Sequence, residues 1–213
     1  MSFFELGNAF LRSGEFESAS RAYQSAAKYS PQSPQIQSAL GIAYTYLERL
    51  DDAVDVYRTA ISLGAGDAET HFNLGSIYLR LERSDKALLA FRTALEIDPD
   101  HQRSYRNIGH ELVRVAQFQK SIAPLEKAVA LDFDDLESAN DLASALAVTG
   151  DIANSIDVCE QALGRHPANQ SILVQYASSL IFMKRYEEAA EICNRVLKSI
   201  PATRPPWRLP PRL

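Results

Sequence analysis

A dipeptide that recurs every 34 residues constrains the fold of this chain more than any other feature of its sequence. Leu-Gly occurs at Leu6-Gly7, Leu40-Gly41 and Leu74-Gly75, and the same step leads to Ile108-Gly109. Two further steps reach Leu142-Ala143 and Tyr176-Ala177, so the period continues after the glycine has changed. Six units in one register, with no insertion, indicate a tandem repeat rather than a conventional single-core domain.

Other positions of the unit keep the same period. An apolar residue follows the first member of the dipeptide by four positions: Phe10, Tyr44, Tyr78, Leu112, Leu146 and Leu180. A small residue recurs later in each unit: Ala19, Ala53, Ala87, Ser121, Ser155 and Ala189. Four positions further on comes a second apolar series: Tyr23, Tyr57, Phe91, Leu125, Cys159 and Cys193. Several units end in proline: Pro31, Pro99, Pro167 and Pro201.

The third unit shows why these spacings arise. Residues three, one and three positions apart form one face of a first helix: His71, Leu74, Gly75 and Tyr78. Residues four and three positions apart form the inner face of a second helix: Ala87, Phe91 and Ala94. Glycine in the first helix and alanine in the second allow the two helices to approach closely, with an aromatic ring beside them. Such a hairpin is too small to bury its own apolar face, so we expect neighbouring units to stack.

This pattern resembles the tetratricopeptide repeat (TPR) family, whose unit is an aromatic residue followed by Leu-Gly, Tyr, Ala, Phe, Ala and Pro over about 34 positions. The resemblance covers residues 1–203 and implies an all-α fold, a right-handed α-solenoid superhelix of six helix-turn-helix hairpins. The six units are assigned to residues 1–33, 34–67, 68–101, 102–135, 136–169 and 170–203. Residues 204–213 form a Pro/Arg-rich tail outside the repeats, and we expect this tail to be disordered.

Two features depart from the repeat pattern. Pro124 falls inside the second helix of the fourth unit, where we expect it to kink or break the helix at a cost of about 3 kcal/mol. Cys159 and Cys193 take the place of the aromatic residue in adjacent units. We expect both cysteines to behave as small buried hydrophobic residues rather than as nucleophiles or a redox pair.

A local basic stripe marks the first helix of the fourth unit, although the chain carries a net charge of −5. Spacings of four, three and four residues place one set opposite the packing face: Arg103, Asn107, His110 and Arg114. Arg106 flanks this stripe, and Arg80 corresponds in the third unit to Arg114. Guanidinium groups bind carboxylates in a two-pronged geometry, so the stripe predicts an acidic peptide segment or chain terminus as the ligand. The alternative is an ordinary solvated helix face.

A ladder of polar residues crosses successive units at one position: Asn73, Asn107, Asp141 and Gln175. Amides both donate and accept hydrogen bonds, so such a ladder can hold an extended peptide backbone. It is similar to the asparagine ladder of the O-linked N-acetylglucosamine transferases, but Glu5 and Ala39 interrupt it in the first two units. Solvated polar positions are again the alternative.

Several function classes are disfavoured. The carboxylate clamp of chaperone-binding TPR domains is incomplete, since Ser38 and Ile42 stand where Lys and Asn are needed. The sequence has no His-Glu-x-x-His motif, glycine-rich phosphate loop or Gly-x-Ser-x-Gly motif, so we expect no enzyme activity, cofactor or metal. Mild acidity disfavours nucleic-acid binding, and no apolar run reaches about 18 residues, so we expect a cytoplasmic protein without membrane contact.

The sequence therefore predicts a non-enzymatic protein–protein interaction scaffold that binds an extended, acidic peptide segment in a concave groove. The residues expected to contact it are Asn73, Arg80, Arg103, Arg106, Asn107, His110, Arg114 and Asp141. Two alternatives remain open. One is the targeting or substrate-recognition arm of a larger enzyme, such as a glycosyltransferase. The other is a structural module that self-associates through an uncapped C-terminal repeat.

Overall fold

The computed structural model describes residues 2–199, and this part of the chain consists of twelve α-helices joined by short turns, with no strand. The helices are α1 (Phe3–Arg12), α2 (Phe16–Tyr29), α3 (Pro34–Tyr46), α4 (Leu50–Ser62), α5 (Ala68–Arg80), α6 (Ser84–Ile97), α7 (Gln102–Arg114), α8 (Phe118–Leu131), α9 (Leu136–Thr149), α10 (Ile152–Arg165), α11 (Gln170–Phe182) and α12 (Tyr186–Ser199). The predicted all-α fold of helical hairpins is confirmed. The tail at 204–213 lies outside the described residues.

Polar side chains define where the first helix of a hairpin begins. Asp67 accepts a hydrogen bond from the Thr70 amide at 2.7 Å, and Asn169 accepts one from the Ile172 amide at 3.0 Å. Ser2 forms a reciprocal capping box with Glu5, in which each side chain bonds the other residue's amide. These caps satisfy amides that have no partner within the helix, and they stabilise each helix start by about 1 kcal/mol.

The turn inside each hairpin contains a residue with a left-handed backbone, and this residue also recurs every 34 positions. The residues are Gly14, Glu48, Glu82, Ala116, Gly150 and Lys184, with φ between 56° and 93°. In the second hairpin the Glu48 amide donates to the Thr45 carbonyl, and the Arg49 amide donates to the Tyr44 carbonyl at 2.9 Å. This pair of bonds is a Schellman motif, which satisfies the last carbonyls of the helix.

Glycines of the first helices lie directly against aromatic rings of the second helices. A Cβ on Gly7 would come within 2.5 Å of the Tyr23 ring, and the same contact pairs Gly41 with Tyr57 at 2.6 Å. This finding confirms the expected close approach. Where the glycine has become Ala143, the aromatic residue has become Cys159, and both are fully buried. A larger residue on the first helix is therefore matched by a smaller residue on the second.

The chain divides into two compact units, Met1–Glu111 and Leu112–Leu213. In the first unit, consecutive helices from α1 to α6 pack against one another, and Tyr23, Tyr57 and Phe91 are the largest fully buried side chains. In the second unit, α8 to α12 pack in the same way around apolar clusters such as Leu125, Leu142 and Leu146. Both units are thus built from stacked hairpins.

Two sequence expectations need correction. Pro124 does not break its helix, because α8 continues from Phe118 to Leu131. The adjacent Leu125 is fully buried against the Leu142 and Leu146 side chains of α9, and this packing holds the helix across the missing backbone hydrogen bond. Cys159 is buried as expected, but Cys193 is exposed, since the described residues place no further helix against that side of α12.

Candidate functional site

A groove runs between α3 and α5 in the first unit. It consists of two clefts, one of about 160 Å³ and one of about 450 Å³. Ile42, Tyr57 and Asn73 line both clefts, so the two adjoin. We refer to the pair as the α3–α5 groove.

The charged residues of the groove are divided between its two clefts. Arg80 lines the smaller cleft, at the C-terminal end of α5. Asp67 and Glu69 line the larger cleft, at the N-terminal end of the same helix. The groove therefore offers a cation at one end and carboxylates at the other.

Arg80 is held by the preceding repeat. Its guanidinium donates to the Glu48 carboxylate and, at 3.4 Å, to the Thr45 carbonyl oxygen. The Arg80 side chain is 37% exposed and that of Glu48 is 74% exposed. Ion pairs this open to water contribute only about 0.2–1 kcal/mol, because water competes and salt screens them. The ion pair to Glu48 therefore holds Arg80 only weakly.

Arg103, in the first turn of α7, is likewise paired with a carboxylate of the preceding repeat. Its guanidinium donates to the Glu69 carboxylate and lies 4.5 Å from the centre of the Phe72 ring. His101 Nε2 lies 3.6 Å from the same carboxylate, and the imidazole packs 5.1 Å from the Phe72 ring. Arg103 thus ties α7 to α5 through Glu69, which itself lines the α3–α5 groove.

The remaining predicted residues are distributed over both units. Arg106 and Asn107 are partly buried on α7, and His110 is exposed on the same helix. In the second unit, Arg114 is exposed in the last turn of α7 and Asp141 is partly buried on α9. Arg106, His110, Arg114 and Asp141 all interact with other residues of the chain. Of the eight residues, Asn73 and Arg80 are brought together in the α3–α5 groove.

The groove also contains two hydroxyl groups that the sequence analysis did not single out. Tyr57 is 2% exposed, and among the described residues nothing hydrogen-bonds its hydroxyl. Ser38 Oγ, on the wall of the larger cleft, is buried and likewise has no partner within the described chain. Burial, with smaller contributions from Glu69 and Tyr46, raises the pKa of Tyr57, so its hydroxyl keeps its proton and remains a donor.

The unpartnered Ser38 hydroxyl is unusual, because a buried hydroxyl without a hydrogen bond costs about 1–3 kcal/mol relative to a hydrogen-bonded one. The lack of an acceptor for the Tyr57 hydroxyl becomes visible when Tyr57 is compared with the equivalent tyrosine of the first repeat. In the first repeat the equivalent Tyr23 hydroxyl donates to Asn8 Oδ1 at 2.7 Å. The position of Asn8 is taken by Ile42 one period later, so the acceptor is lost.

The described residues can also be checked for a metal site, for a membrane-spanning helix and for the role of His71. No group of three His, Cys, Asp or Glu side chains is arranged there to hold a metal ion. No helix in the described part of the chain combines the length and apolarity needed to cross a membrane. His71 is half-buried, and this burial lowers the pKa of its imidazole, in keeping with the expected packing role.

Comparison with known proteins agrees with this architecture. One model described as tetratricopeptide repeat matches residues 4–68, 38–101 and 106–170, and a second model of the same description matches residues 149–209. Among curated proteins, none matches this sequence.

Solved structures show the same fold at low sequence identity. YrrB, described as a TPR protein with an unusual peptide-binding site, is 18% identical with a TM-score of 0.77, over 86% of this chain and 95% of that chain. MamA is 20% identical with a TM-score of 0.71, over 78% of this chain and 90% of that chain. PilF of Pseudomonas aeruginosa is 18% identical with a TM-score of 0.73, over 94% of this chain and 91% of that chain.

The helical hairpins and the recurring glycine–aromatic contacts agree with the family models, which span most of the sequence. The chain therefore belongs to the tetratricopeptide repeat family, whose members are protein-interaction scaffolds.

Proposed function

We propose that this protein is a non-enzymatic scaffold that binds an extended, acidic peptide segment of another protein, with the α3–α5 groove as the principal contact. The observation that carries the proposal is the meeting of Asn73 and Arg80 in one groove. The Asn73 amide would bond the peptide backbone, and Arg80 would bind an acidic side chain of the segment or its terminal carboxylate.

The basic residues of α7 extend this site in the proposal. Arg103, Arg106, Asn107 and His110 lie on α7 in the first unit and would add contacts to the peptide, and Arg114 and Asp141 are the candidate contacts of the second unit. Arg103 is exposed and its ion pair is with the exposed carboxylate of Glu69, so a bound peptide could compete for it at low energetic cost. The likeness to YrrB, whose description names a peptide-binding site, supports the same class of ligand.

A peptide-binding measurement tests the proposal. Ten-residue acidic peptides are screened against the native protein by fluorescence anisotropy, and the binders are compared with the variant carrying Arg103→Glu and Arg106→Glu. We expect the double variant to lose binding and to keep its helical circular dichroism, since Arg103 is exposed and neither residue is fully buried.

A matched control removes the effect of net charge. Arg58 and Arg92 are exposed on α4 and α6, the second helices of their hairpins, whereas Arg103 and Arg106 lie on α7, a first helix. Changing both to Glu makes the same charge change elsewhere, so we expect only the small loss of affinity that long-range repulsion causes. Equal affinities for the native protein and the Arg103/Arg106 variant would contradict the α7 part of the site, and equal affinities for the native protein and Arg80→Glu would contradict the groove as the principal contact.

A further inference from the structure

The Tyr57 hydroxyl differs from its counterpart one repeat earlier in having no acceptor. Tyr23 and Tyr57 occupy the same position, and each ring lies against a glycine of the first helix. Tyr23 donates to Asn8 at 2.7 Å, whereas Ile42 presents an alkyl side chain at the corresponding position beside Tyr57. The fold keeps a tyrosine there although, in the third repeat, Phe91 fills the same space without a hydroxyl.

A second unpartnered hydroxyl lies in the same cleft. Ser38 Oγ is buried and has no hydrogen-bond partner in the described chain, and Ser38 and Tyr57 both line the larger cleft together with Asn73. Buried polar groups almost always find partners, so the unpartnered Ser38 hydroxyl is unusual, and it lies beside a Tyr57 hydroxyl that has no acceptor in the described chain. The Tyr57 hydroxyl and the Asn73 amide, which line both clefts, would meet the backbone of an extended peptide.

The smaller cleft is suited to an apolar side chain. Its walls include Ile42, Tyr46 and Ile77, and its volume of about 160 Å³ is close to that of a cavity of about 150 Å³ that admits benzene. Arg80 lines the same cleft. A ligand that places an apolar side chain between these walls therefore brings its neighbouring residues within reach of a guanidinium group.

We propose that the α3–α5 groove recognises an extended peptide segment in which a phenylalanine-sized side chain fills the smaller cleft, an adjacent acidic residue binds Arg80, and a backbone carbonyl accepts a hydrogen bond from the Tyr57 hydroxyl. The inference rests on the proposed peptide-binding function and specifies the ligand at that site. Tyr57 is then a specificity residue, and Tyr23, whose hydroxyl already has an acceptor, is not.

Peptides of defined composition test the inference. Acetylated ten-residue peptides of glycine and serine carry one phenylalanine and one aspartate, separated by zero to three residues. Their dissociation constants are measured by calorimetry with the native protein, Tyr57→Phe and Tyr23→Phe. Phenylalanine is the native residue at this position of the third repeat, so both variants should fold.

We expect Tyr57→Phe to weaken binding of the best peptide about three- to tenfold, the loss of one hydrogen bond, without lowering the thermal midpoint of the protein. Tyr23→Phe should leave the affinity unchanged and lower the midpoint, because Asn8 loses its donor. Replacing the peptide's phenylalanine by glycine should abolish binding.

The remaining outcomes separate this inference from the proposed function. Binding that is lost in the Arg103/Arg106 variant but unchanged in Tyr57→Phe would overturn the inference and leave the proposed function standing. Equal weakening by Tyr23→Phe and Tyr57→Phe would also overturn it, since the effect would then be structural. If neither these peptides nor the acidic screening peptides bind the native protein, both proposals fail.

Discussion

The ring of Phe91 lies so close to Gly75 that a Cβ on this glycine would come within 2.6 Å of the ring atom Cε1. Phe91 is fully buried between α5 and its neighbours, so its ring cannot move aside freely. Gly75→Ala should therefore lower the free energy of unfolding by about 1–3 kcal/mol, the usual penalty of overpacking a core. Urea denaturation followed by circular dichroism measures this change.

The loss of stability caused by Gly75→Ala should depend on the size of the side chain at position 91, which faces this glycine. The fourth repeat has Leu125 at the position of Phe91, so leucine is compatible with this position. In a Phe91→Leu background, Gly75→Ala should cost less than in the native protein, which a double-mutant cycle detects as a coupling energy. Gly164→Ala is the control: no atom lies within 4 Å of a Cβ there, and alanine should stabilise α10 by about 0.5–1 kcal/mol. Additive effects of the two substitutions would contradict the contact.

Periodicity reveals contacts of this kind because close packing demands matched sizes. Gly41 faces Tyr57, and Ala143 faces Cys159, so the size match is visible as soon as the units are aligned. Helix number and helix type follow from the same alignment. The turn residues do not, since glycine, glutamate, alanine and lysine all occupy the left-handed position, and no single residue type marks it.

The candidate site was less accessible to sequence reasoning. Arg103 was recognised as basic, but its bond to Glu69 depends on how one hairpin stacks on the next. Tyr57 resembles Tyr23 in the alignment, and the difference in their hydroxyls arises from the residue at position 42 on another helix. Whether a polar side chain finds a hydrogen-bond partner depends on its neighbours in space. An alignment of the repeats does not show these neighbours.

The left-handed turn residues allow a stabilising substitution. Ala116 has φ of 58°, a conformation that strains any residue with a Cβ and that glycine adopts freely. We expect Ala116→Gly to raise the free energy of unfolding by up to about 1 kcal/mol. Ala130→Gly, at an exposed position inside α8, should instead lower it by about 1 kcal/mol. A loss of stability in both variants would show that the turn is not strained at Ala116.

The two cysteines should differ in reactivity. Cys159 is fully buried, and burial raises the pKa of its thiol to about 12, so almost no thiolate forms near pH 8. Cys193 is exposed on α12. A disulfide reagent such as dithionitrobenzoate should therefore modify one thiol per native chain at pH 8 and both in 6 M guanidinium chloride. Peptide mapping should assign the fast site to Cys193, and labelling of Cys159 in the native protein would contradict its burial.

Apolar side chains exposed around the α11–α12 turn offer a contact surface for the self-associating module that the sequence leaves open as an alternative. Phe182 is 70% exposed, Tyr186 is 60% exposed, and Ile181 and Met183 are each about half exposed. Neighbouring exposed apolar residues of this size commonly mark contact surfaces. We expect the mass from light scattering to rise with protein concentration, and Phe182→Ser to shift this rise to higher concentration. Tyr29→Ser, at a residue 78% exposed on α2, is the matched control and should leave the dilution curve unchanged. A monomer mass at every concentration would refute self-association, and an equal shift by both variants would place the contact elsewhere.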